Sequence, residues 1–168
     1  HLSGTGAGDL YDISYMPVTL PYREAEAPLG IHSKFRHSDE EASAGYYRVL
    51  LKDYNINVEL TATERCGIQR YTFPKAQSAV FLNLKKAMNW DFTQDSHIEV
   101  VDSCTIQGYR FSDGWARGQR VFFRTRFSKP FRSSEIDTTA IIQDGKTIGT
   151  AYVARFNFDT TDGEEIVL

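Results

Sequence analysis

Three short segments of alternating polar and apolar residues, within residues 45–74, constrain the fold of this chain most strongly. In the middle segment Val58, Leu60 and Ala62 alternate with polar side chains, which is the two-residue period of a half-buried strand. The third segment ends at Pro74, whose ring removes the amide hydrogen that a sheet ladder would need. We therefore predict an antiparallel meander of three strands with one apolar face, which another layer of the fold must cover.

Strand patterns continue through the rest of the chain, and they cover residues 12–18, 97–102, 105–111, 119–127, 138–142 and 147–158. Residues 79–84 also match helical spacing, and we interpret them as a strand because their neighbours are strands. Asp-Gly pairs, which favour hairpin turns, stand at residues 113–114, 144–145 and 162–163. About ten short strands and no convincing long amphipathic helix predict an all-β fold, specifically an antiparallel β-sandwich.

Length and composition indicate one globular domain. The 168 residues and the 41% hydrophobic content suffice for a core, and we predict a single β-sandwich domain over residues 1–168. The formal net charge of −3 and the lack of a Lys/Arg cluster argue against nucleic acid as a partner. No apolar run approaches the roughly 18 residues of a membrane span, so no membrane span is expected. Because the chain opens at His1 without an initiator Met and closes on an apolar stretch, we expect it to be a piece of a longer protein.

The histidines and acidic residues near the start of the chain give little sign of a reaction centre. Residues 20–44 show little periodicity and are predicted to form a long connection. His32 and His37 within it are interpreted as solvated residues rather than metal ligands. The acidic run Asp39–Glu41 is interpreted as a solvated surface.

Two pairs of residues leave alternatives open. Cys66 and Cys104 are too few for a disulfide framework and lack metal-binding spacing, so they are interpreted as two buried thiols, with a single bridge as the alternative. Trp90 and Trp115 could form a platform for a sugar ring, because an aromatic face packs on the apolar face of a pyranose. Packing in the core or at its rim is the alternative for the two tryptophans. No hydrolase or zinc-binding motif stands out elsewhere.

The chain opens with a glycine-rich stretch, His1-Leu2-Ser3-Gly4-Thr5-Gly6-Ala7-Gly8-Asp9. Glycines permit backbone conformations and close approaches that a β-carbon would block. The spacing is not a dinucleotide fingerprint, because Asp9 stands where the third glycine would be, and no Lys-Ser/Thr pair follows for a Walker loop. On spacing, both a structural turn and a ligand-binding loop remain open.

Five ordered motifs together resemble glycoside hydrolase family 92 over nearly the whole chain. They are His1–Gly6, the segment from Phe35 to Tyr47, Glu59–Arg65, Arg70–Pro74 and Gly114–Ala116. The resemblance implies an exo-acting, inverting, calcium-dependent α-mannosidase that trims mannose from glycans. It also implies that this chain is the N-terminal, supersandwich-like domain, which in the family packs on a C-terminal (α/α)-barrel catalytic domain.

The same resemblance makes further expectations about the site and its partners. The general acid, the general base and most calcium ligands are expected in the barrel, so this chain alone is expected to have no catalytic residue and no activity. His1, Ser3, Gly4, Thr5 and Gly6 are expected to bind substrate or to line the seam between the domains. The expected partners are an α-mannoside glycan and the catalytic domain of the same polypeptide, and export from the cell is expected on the resemblance only. The alternative is a free-standing carbohydrate-binding or adhesion sandwich without catalysis.

Overall fold

The computed structural model describes residues 12–22, 30–85, 91–114 and 116–168. In these ranges the chain forms one short 3-10 turn, His37–Asp39, and twelve strands. The strands are β1 Ser14–Thr19, β2 Glu40–Ser43, β3 Tyr46–Leu51, β4 Ile56–Ala62, β5 Gly67–Phe73, β6 Ala76–Asn83, β7 Phe92–Asp102, β8 Thr105–Asp113, β9 Gln119–Arg126, β10 Ser133–Gln143, β11 Lys146–Thr160 and β12 Glu164–Val167. No α-helix occurs in the described ranges, so the predicted all-β class is confirmed.

The strands of the described ranges pair in three antiparallel sheets. The five-stranded sheet has the order β12-β5-β4-β3-β2, the four-stranded sheet β1-β6-β11-β10 and the three-stranded sheet β7-β8-β9. The predicted meander is confirmed as β3, β4 and β5, in which Val49, Val58 and Tyr71 lie side by side. All three side chains are buried. They therefore mark the face of the meander that covers the core.

The hydrophobic core receives side chains from all three sheets. Ile56 and Tyr71 come from the five-stranded sheet, Phe156 from the four-stranded sheet and Ile106 from the three-stranded sheet, and each is 0% exposed. Successive side chains of a strand point to opposite faces, so every second side chain of each strand can enter this common core. The predicted β-sandwich is confirmed.

Burial falls steadily along β4, which corrects the predicted inward face of this strand. Ile56 is 0% exposed and Val58 is 7% exposed, whereas Leu60 is only half-buried and Ala62 is exposed. The alternation is as predicted, but the core ends before the strand does. Ala62 therefore lies beyond the core, although its parity is the inward one.

The predicted long connection over residues 20–44 contains a strand that the sequence did not reveal. Strand β2 pairs with β3 at one edge of the five-stranded sheet, where Glu41 lies opposite Arg48 and Ala42 opposite Tyr47. No residue of β2 is fully buried. An edge strand without a buried face has no need for apolar alternation, so its sequence resembles a polar loop.

The three Asp-Gly pairs play different roles. Asp144 and Gly145 both have positive φ, 50° and 74°, and they form the tight turn between β10 and β11, as predicted. Gly114 does not close a tight turn, because residues 114–118 connect β8 to β9. Gly163 has a φ of 72° and precedes β12, which pairs with β5 rather than with β11. This last pair therefore carries the chain from one sheet to another.

Strand β11 links the four-stranded sheet to the three-stranded sheet. Its second half pairs with β6, while its first half lies against β7. A β-carbon on Gly149 would come within 2.0 Å of the Gln94 carbonyl oxygen, so only glycine permits this approach. The Tyr152 amide donates to Ser96 Oγ at 2.9 Å. Together these contacts hold the three-stranded sheet, which carries the candidate site, on the rest of the domain.

Candidate functional site

A fully buried arginine lies at the centre of the candidate site. Arg110, on β8, is 0% exposed, and its side chain lies between two buried carboxylates. Its Nη1 is 2.6 Å from Asp12 Oδ1 and 2.9 Å from Asp91 Oδ2, and its Nη2 is 3.2 Å from Asp91 Oδ1. Charged groups are almost never buried unless they are paired, so this fork-like pairing explains how the guanidinium is tolerated.

Neutral groups complete the hydrogen bonding around these charges. Arg110 Nε donates to Thr93 Oγ1 at 2.9 Å and also lies 3.2 Å from the Leu84 carbonyl oxygen. Ser112 Oγ donates to Asp12 Oδ1 and Gln119 Nε2 donates to Asp12 Oδ2, each at 3.0 Å. We call this set the Arg110 cluster; it consists of Asp12, Asp91, Thr93, Arg110, Ser112 and Gln119.

The Arg110 cluster joins residues that are far apart in the sequence. Asp12 stands three residues after the glycine-rich stretch His1–Asp9, and Asp91 directly precedes β7. A β-carbon on Gly114 would lie 3.0 Å from the Asp91 Cα, so Gly114 also packs against the cluster. The cluster therefore fixes three points of the chain at the end of the three-stranded sheet.

The predicted site residues themselves lie outside the described residues. This applies to the substrate-binding candidates His1, Ser3, Gly4, Thr5 and Gly6, and also to Trp90 and Trp115. Their proposed contacts with sugar therefore stay predictions.

Sequence reasoning missed Arg110, the central residue of the cluster. Its parity gave no clear signal: Arg110 and Ser112 share the buried parity of Ile106 in the structure, but Tyr109 and Phe111 give the opposite parity of β8 an apolar pattern as well. An arginine in register with inward-facing residues must be paired with acid, but nothing local identifies Asp12 and Asp91 as its partners.

The acidic run beside β2 was interpreted as a solvated surface, and the structure shows that two of its members are engaged. Asp39 accepts from Lys52 Nζ at 2.8 Å, and this hydrogen bond lowers the pKa of the Asp39 carboxyl. Glu40 accepts from the Tyr47 hydroxyl at 2.9 Å. Burial, followed by this bond, raises the pKa of Tyr47 to about 12. Glu41 is 62% exposed, as expected for a solvated acid. These contacts tie β2 to β3 and do not form a reaction centre.

The predicted histidines and cysteines do not form a metal site in the part of the chain that the structure describes. His37 is fully exposed, and His32 Nδ1 lies 3.1 Å from the Gly30 carbonyl oxygen. No group of three or more His, Cys, Asp or Glu side chains in those ranges could hold a metal ion. Both cysteines are free, but Cys66 is exposed and Cys104 is only half-buried, so the interpretation of two buried thiols is wrong. Cys66 lies in the turn between β4 and β5, where the core does not reach.

A family model described as the glycosyl hydrolase family 92 N-terminal domain matches residues 1–168. The chain belongs to glycoside hydrolase family 92. This confirms the resemblance that the five motifs indicated, and it makes the chain the N-terminal domain of a family 92 glycosidase. No helix in the described ranges is long and apolar enough to cross a membrane.

Solved structures of family 92 enzymes share the fold. Two structures of the α-mannosidase BT3965 from Bacteroides thetaiotaomicron, one of them in complex with mannoimidazole, match with 29% sequence identity and a TM-score of 0.82. The match covers 99% of this chain and 24% of that chain. The family 92 glycosyl hydrolase ccman5 matches with a TM-score of 0.63 and 20% identity, over 93% of this chain and 22% of that one, and supports the fold alone. No curated protein matches. The chain thus spans about a quarter of the length of these family 92 enzymes.

Proposed function

We propose that this domain belongs to an exo-acting, inverting, calcium-dependent α-mannosidase that trims mannose from glycans. In this proposal the domain supplies a wall of the sugar pocket and contacts to the catalytic domain, and the enzyme is exported. The family and the likeness to an α-mannosidase support the substrate class. The observation that carries the proposed role is the Arg110 cluster, which holds Asp12 firmly just after the glycine-rich stretch.

The carboxylates of the Arg110 cluster are poor candidates for the reaction itself. An inverting glycosidase needs two carboxyl groups roughly 6.5–9.5 Å apart, one to protonate the leaving group and one to activate water. Asp12 and Asp91 are 4% and 6% exposed, and both accept hydrogen bonds from Arg110. Neither carboxylate has access to a substrate. The proposal therefore assigns the acid and the base to the part of the enzyme beyond this chain.

Calcium does not fit the residues described in this chain. Calcium prefers six to eight oxygen ligands, and the buried carboxylates of the domain are already paired with arginine. The proposal therefore places its ligands outside this chain.

The glycine-rich stretch gives the domain a direct part in substrate binding. In the proposal, His1, Ser3, Gly4, Thr5 and Gly6 border the pocket and orient the sugar. Contacts that strengthen in the transition state raise kcat, whereas uniform binding lowers KM only. Such wall contacts would set specificity while the catalytic domain performs the chemistry.

Mannose release tests the proposal directly. We would compare the intact enzyme, its Thr5→Ala variant and the isolated 168-residue chain on one α-mannoside, with and without a calcium chelator. We expect calcium-dependent release by the intact enzyme, a kcat/KM reduced about tenfold or more for Thr5→Ala, and no release by the isolated chain.

Three results would contradict parts of the proposal. Turnover by the isolated chain would place the acid and base within it. Full activity of a folded Thr5→Ala variant would indicate that the glycine-rich stretch is a structural turn and does not bind substrate. Binding of mannan by an intact protein that never hydrolyses it would favour the free-standing carbohydrate-binding sandwich.

A further inference from the structure

The outer face of the three-stranded sheet carries large aromatic side chains. Arg110 and Ser112 of β8 point into the domain, so Tyr109 and Phe111 point outward. Their neighbour across the strand pair, Phe122 of β9, is 70% exposed. A sheet with one solvated face normally alternates apolar inward and polar outward, and this sheet does not.

The aromatic side chains form a continuous row across three strands. The His97 ring stacks on Tyr109 with centroids 5.9 Å apart, and Tyr109 stacks on Phe111 at 4.5 Å. Phe122 packs against Phe111 at 5.8 Å, and Tyr152 of β11 meets His97 edge-on at 5.2 Å. We call this row the outer aromatic face; it consists of His97, Tyr109, Phe111 and Phe122, while Tyr152, which also packs against the core, borders it at the His97 end.

The rim of the outer aromatic face is polar and carries arginines. Arg120 lies over the Phe111 ring, 5.3 Å from its centroid, and Arg124 is exposed two positions beyond Phe122. Tyr109 donates its hydroxyl proton to Asp95 at 3.0 Å. Aromatic residues and arginine are the types enriched in protein interfaces, around a centre that excludes water.

The ring arrangement favours a protein partner over a sugar. A pyranose stacks on an open ring face, but Tyr109 and Phe111 are nearly parallel, with 25° between their planes, and cover each other. Arg120 occupies a position over Phe111 as well. The face is therefore suited to side chains that pack between and beside the rings.

We propose that the outer aromatic face is the surface on which the remainder of the same polypeptide docks. This inference rests on the proposed function, in which the domain is part of a larger enzyme. The matched α-mannosidase BT3965 carries about three-quarters of its length outside the region that this chain matches. In an enzyme of that size a large tethered body would be present at high effective concentration. Because the rim carries arginines around an aromatic centre, we expect the partner surface to have an apolar centre with carboxylates around it.

The proposal also places docking and anchoring on one strand. Tyr109 and Phe111 alternate along β8 with Arg110 and Ser112, which hold Asp12. Docking on the outer side of β8 would therefore bring the other domain to the strand that holds Asp12, three residues after the glycine-rich stretch.

Side-chain footprinting of the unmodified intact protein tests the docking surface without a variant. Phe122 and Ile142 are 70% and 67% exposed in this domain, and Ile142 lies on β10 of the four-stranded sheet rather than on the three-stranded sheet. We expect photochemical carbene labelling of Phe122 to be about fivefold weaker than that of Ile142 after correction for the intrinsic reactivity of each residue type, because interface anchors are desolvated. Equal corrected labelling would overturn the proposal.

A matched pair of variants provides a second measurement. Phe122→Asp should increase the rate of proteolytic cleavage between the domains about tenfold, whereas Ile142→Asp should not. The loss of one anchor of about 1.4 kcal/mol lowers the docking equilibrium constant tenfold, which raises the small undocked fraction by about the same factor. Equal rates in the two variants would overturn the proposal.

If another partner covers the outer aromatic face, footprinting gives a different result, and each such result would overturn the docking proposal. Protection of Phe122 that rises with protein concentration would indicate a second copy, and protection that appears only with added mannan would indicate a glycan. Mannose release is measured on the same samples, so that failure of the proposed function can be distinguished from failure of the docking proposal. Protection of Phe122 in an intact protein without mannosidase activity would support docking and would contradict only the proposed activity.

Discussion

Arg110 is the residue on which the interior of the three-stranded sheet depends. Burying a guanidinium and two carboxylates removes three charged groups from water, and their mutual attraction and hydrogen bonds must offset that cost. Thr93 accepts a further hydrogen bond from Arg110, and Ser112 and Gln119 donate further hydrogen bonds to Asp12. Removal of one member therefore leaves other buried polar groups of the network with a missing partner.

Loss of Arg110 should therefore be costly. We expect Arg110→Met to lower the free energy of unfolding by about 3–5 kcal/mol, because it leaves two buried carboxylates without the positive charge that compensates them. The matched control is Arg70→Met: Arg70 also makes two hydrogen bonds to one carboxylate, that of Glu59, at 2.7 Å, but its side chain is 44% exposed. We expect a much smaller loss there, since solvent screens the pair. Urea unfolding measures the free energy of unfolding of both variants. Equal losses in Arg110→Met and Arg70→Met would contradict the argument that burial makes the Arg110 ion pairs costly to break.

At the scale of the element, β4 shows that parity and depth are separate properties. The two-residue period identifies which side chains point inward. It does not indicate where along the strand the neighbouring sheet stops covering it. For this reason Ile56 is fully buried at one end of β4, and Ala62 is exposed at the other.

The cost of truncating β4 side chains should follow the same gradient. Ile56→Ala should lower the free energy of unfolding by about 2–5 kcal/mol, because it leaves a cavity in a closed part of the core. Leu60→Ala should cost less than Ile56→Ala, although sequence alternation alone assigns it a full core position. Thr61→Ala, at an exposed position, should cost about 1 kcal/mol or less, because it removes only the exposed hydrogen bond from the Thr61 hydroxyl to the Gly45 carbonyl oxygen. A Leu60→Ala loss as large as that of Ile56→Ala would show that the core extends further along β4.

At the scale of the whole molecule, acidic side chains are paired with bases at many points of the surface. Hydrogen bonds from Arg70, Arg155 and Lys129 lower the pKa values of Glu59, Glu135 and Glu164, respectively. The folded protein therefore binds fewer protons than the unfolded chain in the acidic range. Each pair contributes stability that is present above the ordinary glutamate pKa and is lost as pH falls through the lowered value.

Thermal stability should therefore decrease in acid. We expect the Tm to change little between pH 7 and about 5, and to fall below about pH 4.5 as the paired carboxylates become protonated. Glu164→Gln should lower the Tm at pH 7, and the difference from the parent protein should shrink towards pH 3, where the parent has also lost this charge. A difference that stays constant from pH 7 to pH 3 would show that the Lys129–Glu164 pair does not respond to protonation in this way.

Much of the fold could be predicted because its signal is local. Alternation identified the meander, and the Asp-Gly pair identified the turn at Asp144 and Gly145, since each signal depends on residues adjacent in the chain. Residues 79–84 matched both strand and helix spacing, and their assignment as a strand came from the neighbouring strands. The five motifs identified the family for a related reason, because ordered short matches need no knowledge of contacts. Strand β2 escaped prediction, as an edge strand with no buried face leaves no such pattern.

Which distant residues meet is a property of the tertiary structure alone. Arg110 pairs with Asp91, 19 residues away, and with Asp12, 98 residues away, and no local pattern encodes either partner. β8 also has large side chains on both faces, so alternation alone could not show that Arg110 points inward while Tyr109 and Phe111 form an outer surface. The structure resolves that choice: the guanidinium meets two carboxylates inside the domain, and the aromatic rings pack against one another on its outer side.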